Sequence, residues 1–133
     1  MNTGAIVLTP VPQPVFYIKR ILRVVDGDTF DCEVDKFHGI TQRFRVRLLE
    51  VDTWEMSGPE KEKGIKAKVF TTAWLYMVED LVVEGLHNQK LDSFGRLLAW
   101  VYNPSTGECL SNRLIEEGHG SSVSLDRHLE MLT

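Results

Sequence analysis

Three strand-like segments, a helix, two further strands and a second helix follow one another along this chain. That order predicts a five-stranded OB-type Greek-key barrel of α+β, mainly β, class, with a helix after the third strand and one or two C-terminal helices. Two further observations support it. Phe30, Cys32 and Val34 alternate with Asp31, Glu33 and Asp35, the period of a half-buried strand. The 133 residues, 43% of them apolar, suffice for one core and leave little for a second. A small α+β sheet domain is the competing architecture. Residues 1–14 are expected to form an N-terminal arm and residues 15–133 a single domain.

The first strand is expected over residues 15–25 (VFYIKRILRVV), which are rich in β-branched and aromatic side chains. Asp26-Gly27 reads as the hairpin turn, because Asp-Gly favours two-residue connections. Asp28 then shares strand parity with Phe30, Cys32 and Val34 and points toward the barrel rim. Residues 36–41 form the next connection. A third strand is expected over residues 43–52 (RFRVRLLEVD), with Arg43, Arg45 and Arg47 on one face and Phe44, Val46 and Leu48 on the other.

Residues 60–78 read as a helix, with Ala67, Phe70, Ala73, Trp74 and Met77 as its apolar stripe and Lys61, Lys63, Lys66 and Lys68 crowding its first turns. Residues 81–86 and 96–102 read as two strands joined by a polar loop. A short helix follows, with Ser111 as N-cap and Gly118 beyond its end. The tail from His119 is polar and then weakly helical. No internal repeat appears.

Net charge is −4, which argues against broad attraction to polyanions. The distribution is uneven: residues 1–47 hold seven Lys and Arg against five Asp and Glu, whereas the remainder holds eight against fourteen. A phosphate site on such a chain must be local. The first residues carry only a four-residue apolar run, Ala5 to Leu8, so neither a signal peptide nor a membrane span is expected. Cys32 and Cys109 show no disulfide or C-x-x-C spacing. A cytoplasmic location, in a bacterial or phage-encoded protein, is the expectation.

Three short stretches concentrate charged residues at strand ends, where a scaffold can aim them at a ligand. They are VVDGDTF, with Asp28; RLLEVDTWE, with Arg47, Asp52, Thr53 and Glu55; and DSFGRLLAWVY, with Arg96 after Gly95. Each alone is compatible with ordinary turn or surface charges. An EF-hand starting at Asp26 fails, because Asp31 stands where glycine is needed and Phe37 where glutamate is needed. The histidines and cysteines have no zinc spacing, and the four histidines read as surface or loop residues.

Taken together, the three stretches resemble the signature blocks of the staphylococcal-nuclease-like (thermonuclease) family, in the family's order and with similar separations. The arginine five residues before Asp52 and the glutamate two beyond Thr53 make the middle block specific. With LSNRLIEEG, the likeness covers roughly residues 18–118. It implies a Ca²⁺-dependent nuclease acting on DNA or RNA and leaving 3′-phosphate ends, with Mg²⁺ or Mn²⁺ as other candidate metals. It further implies Asp28, Asp52 and the Thr53 carbonyl as metal ligands. Glu55 would orient or deprotonate the attacking water, and Arg47 and Arg96 would bind the phosphate. The alternative is a non-catalytic OB module that binds single strands or a protein partner.

The likeness has departures. Trp54 replaces the usual proline between Thr and Glu, and either stacks on a base or packs on the barrel end. Phe94 replaces the usual tyrosine, keeping a stacking face and losing the hydroxyl. The tail GHGSSVSLDRHLEMLT holds no aromatic ring of the Phe, Tyr or Trp type, and the family's usual third helix would be short here, over residues 125–132. That predicts weaker base stacking, an altered substrate preference, or pocket residues from another subunit.

Overall fold

The structure is a computed structural model that describes residues 15–86 and 90–133. The expected N-terminal arm, residues 1–14, lies outside the described residues. Among the described residues, seven strands form: β1 (Val15–Asp26), β2 (Thr29–Phe37), β3 (Ile40–Leu48), β4 (Val51–Thr53), β5 (Val82–Gly85), β6 (Leu97–Tyr102) and β7 (Gly120–Ser122). The helices are α1 (Lys61–Met77), α2 (Leu110–Glu116) and α3 (Leu125–Leu132). Strands β1, β2, β3, β6 and β5 close into a barrel in that order, with β3 and β6 parallel. This is the expected OB-type architecture, with α1 after the third barrel strand and two C-terminal helices.

The alternation that predicted β2 reports its burial. Phe30, Cys32 and Val34 are fully buried, and they meet Val46 and Leu48 of β3, Val83 of β5, and Ala99 and Val101 of β6. Leu110 and Leu114 of α2 are buried in the same core. The pairing of β1 with β2 shifts register three times, between Ile18 and Arg20, Ile21 and Arg23, and Val24 and Asp26. Such bulges bend and twist a long strand, which lets β1 reach β2 on one side and β5 on the other.

Several expectations are corrected. The turn residues are Gly27 and Asp28, because Asp26 pairs with Thr29. The third strand breaks after Leu48: Glu50 has φ of +67°, and Val51–Thr53 leaves the barrel to pair with β7. The buried face of α1 is Gly64, Ala67, Thr71, Trp74 and Leu75, while Ala73 and Met77 are exposed. Small residues let the helix approach closely, and that moves its contact line. Cys109, not Ser111, stands at the N-cap of α2; the Ser111 hydroxyl is buried and donates to the Leu49 carbonyl at 2.8 Å. Gly118 does end α2. At φ +76°, it lets its own N–H reach the Ile115 carbonyl and that of His119 reach the Leu114 carbonyl, a Schellman closure.

Both cysteines are free, and burial pushes the Cys32 thiol up to about 12, so it is chemically inert. Among the described residues, no helix is long and apolar enough to cross a membrane.

Candidate active site

Asp28 is carried by the tight β1–β2 turn, and helix α1 holds that turn in place. A Cβ on Gly27 would stand 2.8 Å from the Ala67 side chain, so only glycine permits this approach. The Thr71 hydroxyl donates to the Gly27 carbonyl at 2.6 Å. The turn also closes on itself, because the Asp28 N–H donates to an Asp26 carboxylate oxygen at 3.1 Å. Asp28 is 6% exposed, and its carboxylate accepts from the Thr29 hydroxyl at 3.1 Å and the Thr53 N–H at 3.0 Å.

Arg47 leaves the end of β3 and is 5% exposed, unlike Arg45, which pairs with Asp31 on the surface. The break at Glu50 explains the difference. Nη1 of Arg47 donates to the Leu48 carbonyl at 2.6 Å and to the Val51 carbonyl at 3.0 Å, the two sides of the bend. Nη2 lies 3.3 Å from Asp28 and 3.2 Å from Asp52. One guanidinium thus bridges both carboxylates while the chain around it fixes its plane. Of the three arginines expected on one face, only Arg47 enters the site.

The two acids respond differently to this environment. Burial raises the pKa of Asp28, but the Arg47 charge and hydrogen bonds from Asp26 and Thr53 outweigh it, and the net shift is downward. Asp52, half-exposed, is shifted upward by burial and by the Asp28 charge, against the pull of Arg47. Burial and the neighbouring Asp28 push the third acid, Asp26, up to about 7.

Thr53, Trp54 and Glu55 follow on β4 and the loop beyond. Thr53 meets Asp28 through its N–H. Trp54 is pinned on the side of β7, its indole N–H donating to the Gly118 carbonyl at 3.1 Å, with the Lys63 ammonium 4.5 Å from the ring centroid. Packing on the protein therefore accounts for part of its surface, and the ring also lines the site. The Glu55 side chain is exposed, but its backbone lies directly against Gly64 of α1, where a Cβ would collide with the Glu55 carbonyl. Contact with a helix thus steadies Glu55 where the family's usual proline is missing.

Arg96 comes from the neighbouring strand, just before β6, which runs parallel to β3. Its Nε donates to Asp92 at 2.7 Å and its N–H to the same carboxylate at 2.8 Å. Asp92 also accepts the Phe94 N–H at 2.9 Å, so one buried carboxylate shapes the turn and aims the guanidinium. Phe94 is 80% exposed, with its ring 5.3 Å from the Arg96 guanidinium carbon.

Asp28, Arg47, Asp52, Thr53, Trp54, Glu55 and Arg96 share one cleft of about 350 Å³. Phe94 lies outside its lining. Met131 and Leu132 of α3 also line it, so the tail supplies aliphatic walls where aromatic ones were in question. No group of three or more His, Cys, Asp or Glu side chains gathers around one point among the described residues. A cation here would rest on two carboxylates completed by carbonyl and water oxygens, a donor set that suits a hard ion such as Ca²⁺.

Sequence reading missed Asp92, Gly64 and His128 as supports of the site. Asp92 had a signal, since D-S-F-G-R is an Asp-initiated turn before a strand. Gly64 had one too, as a glycine inside a helix. His128 corrects the expectation of surface histidines. It is fully buried, and its Nδ1 accepts the Glu50 N–H at 2.8 Å. That bond anchors α3 to the bend that frames Arg47. Burial and the Arg47 charge lower the His128 pKa to about 4. A family model described as staphylococcal nuclease homologue matches residues 45–130, well over half of the chain.

Proposed function

The chain belongs to the staphylococcal nuclease homologue family, and from that premise we propose that it hydrolyses phosphodiester bonds of DNA or RNA at this cleft, with Ca²⁺ as its metal. One observation carries the reading. Two carboxylates bridged by a buried arginine, a free glutamate and a second anchored arginine all open onto a single cleft.

Asp28, Asp52 and the Thr53 carbonyl would hold the cation. When bound there, Ca²⁺ supplies Lewis-acid polarisation of a phosphoryl oxygen and offsets the charge that makes a phosphodiester repel a nucleophile. The protein groups do the remaining work. Arg47 and Arg96 bind the scissile phosphate: the Arg96 fork can grip two oxygens where a lysine offers a point charge, whereas the Nη groups of Arg47 already serve the Leu48 and Val51 carbonyls and both carboxylates, so Arg47 contributes chiefly its charge. Both guanidinia are tethered beforehand, so little reorganisation accompanies the rise of negative charge in the transition state. Glu55 orients the attacking water or takes its proton. The bond from phosphorus to the 5′ oxygen breaks, the electron pair leaves with that oxygen, and solvent protonates it. The products then carry 3′-phosphate and 5′-hydroxyl ends. Trp54 and Phe94 offer stacking faces beside the cleft.

Digestion of heat-denatured DNA with Ca²⁺ and with EGTA tests the reading, with the ends identified by their response to phosphatase and polynucleotide kinase. Chelator-sensitive cleavage leaving 3′-phosphates is expected. A folded protein with no chelator-sensitive cleavage of DNA or RNA would instead be a binding module.

A further inference from the structure

A second, smaller groove adjoins the cleft. It has a volume of about 240 Å³ and is lined by Trp54, Lys63, Lys66, Glu117, Gly118 and His119. Trp54 lines both spaces, so the two meet at one indole ring. We propose that this groove is a second binding site, which seats an unpaired nucleotide of the strand flanking the scissile phosphate. The proposal rests on the nuclease reading of the neighbouring cleft and extends it to a part of the surface that the chemistry itself does not use.

The groove's composition indicates its ligand. The Trp54 ring is immobilised by the indole bond to Gly118, and the His119 ring is held against Phe70 with centroids 5.0 Å apart. Two fixed rings make a platform for a base, and every base has a π-face to offer. Lys63 and Lys66 stand one turn apart at the exposed start of α1, where they can meet consecutive phosphates. Among the described residues, Lys63 forms its ion pair with Glu60, at 3.2 Å on the surface, a contact of the kind that phosphate readily displaces, and its ammonium also lies 4.5 Å from the Trp54 ring centroid. Among the described residues, Lys66 makes no ion pair. The acid on the rim, Glu117, is already engaged by Arg113 at 3.0 Å. Positive charge therefore faces the groove although the protein is acidic overall. Stacking needs an unstacked base and the space admits one nucleotide, so the ligand is single-stranded.

The test measures binding without turnover. A fluorescein-labelled single-stranded 12-mer is titrated in EGTA at several salt concentrations, using wild type, Lys63→Ala/Lys66→Ala, and the charge-matched surface control Lys19→Ala/Lys36→Ala. Each phosphate contact on a single strand contributes about 0.7 to the slope of log affinity against log salt. The groove variant is therefore expected to bind more weakly and to lose about 1.4 from the slope, with the control keeping the wild-type slope. Trp54→Leu is expected to weaken binding about fivefold or more, and Trp54→Phe to restore much of it. Equal slopes in all three proteins, or no binding by wild type, would overturn the proposal. A loss of slope equal to that of the control would also overturn it, because it would show only net charge. Absence of cleavage would count against the nuclease reading alone, since these readouts need no catalysis.

Discussion

The two ends of the β1–β2 ladder carry clefts of opposite character. At the end where Tyr17 pairs with Asp35 lies a space of about 650 Å³, lined by Tyr17, Lys19, Asp35, Glu79, Asp80 and Ser105 among others. At the end where Asp26 pairs with Thr29 lies the 350 Å³ cleft. The larger space is lined by mostly exposed charges with no buried ion pair among them. The smaller one holds Asp28 and Arg47, both nearly excluded from water, in one network with Asp52. Volume alone would select the other end. What separates them is convergence: buried charges held by backbone groups, with pKa values driven apart, mark a functional site more reliably than space does.

The largest expected effect comes from removing the group on which that contrast depends. Arg47→Met takes away a transition-state donor, so cleavage should fall by at least about 10²–10³-fold. It also leaves Asp28 buried without its cation, and breaking such a pair typically costs about 3–5 kcal/mol. Initial rates and urea unfolding measure the two effects separately, and retention of both near wild type would erase the distinction between the clefts. Next in size is Asp92→Ala. It frees Arg96 without touching substrate, and supporting residues of this kind typically contribute about 10–100-fold. The loss should appear in the rate under saturating substrate while urea unfolding stays cooperative.

A smaller effect lies in the pH dependence of stability, measured in EDTA. His128 titrates near 4 in the fold against an ordinary 6.5, so on acidification the unfolded chain binds its proton first. That contribution is present above pH 6.5 and is lost as pH falls toward 4. Asp26 acts in the opposite sense. It keeps its proton up to about 7 in the fold against an ordinary 3.8, so it adds stability as pH falls over nearly the same window. In wild type the two offset one another. Asp26→Asn should uncover the His128 loss as a falling urea midpoint between pH 6.5 and 4.5; a flat profile in that variant would contradict the buried, neutral His128. The smallest effect belongs to the other cleft: Lys19→Ala and Asp35→Asn should each leave cleavage within about twofold of wild type.

The clarity of the sequence differed by region for physical reasons. Strand β2 and helix α3 were readable because alternation and local helical pattern determine them; α3 spans the expected residues 125–132. The bend at Glu50 was not readable. Glutamate gives no local sign of positive φ, and the bend is held by remote partners: His128, the Val123 N–H on its carbonyl and the Trp100 indole on its carboxylate. The face of α1 was misread because apolar periodicity weighs large side chains, whereas this helix docks through Gly64, Ala67 and Thr71. In the site, the residues that face the cleft stood out as charged types at set spacings. Of those that support them, Asp92 acts through local turn contacts that the sequence signalled, whereas His128 acts through a contact that only the fold creates.

The central claim is that the smaller, charged cleft holds the metal. Calorimetric titration of Ca²⁺ into wild type, Asp28→Asn and Asp35→Asn in the presence of a nucleotide bisphosphate tests it most directly. One bound Ca²⁺ is predicted in wild type and in Asp35→Asn, and none at the same concentration in Asp28→Asn. Undiminished binding by Asp28→Asn, or its loss in Asp35→Asn, would place the metal elsewhere and contradict the account.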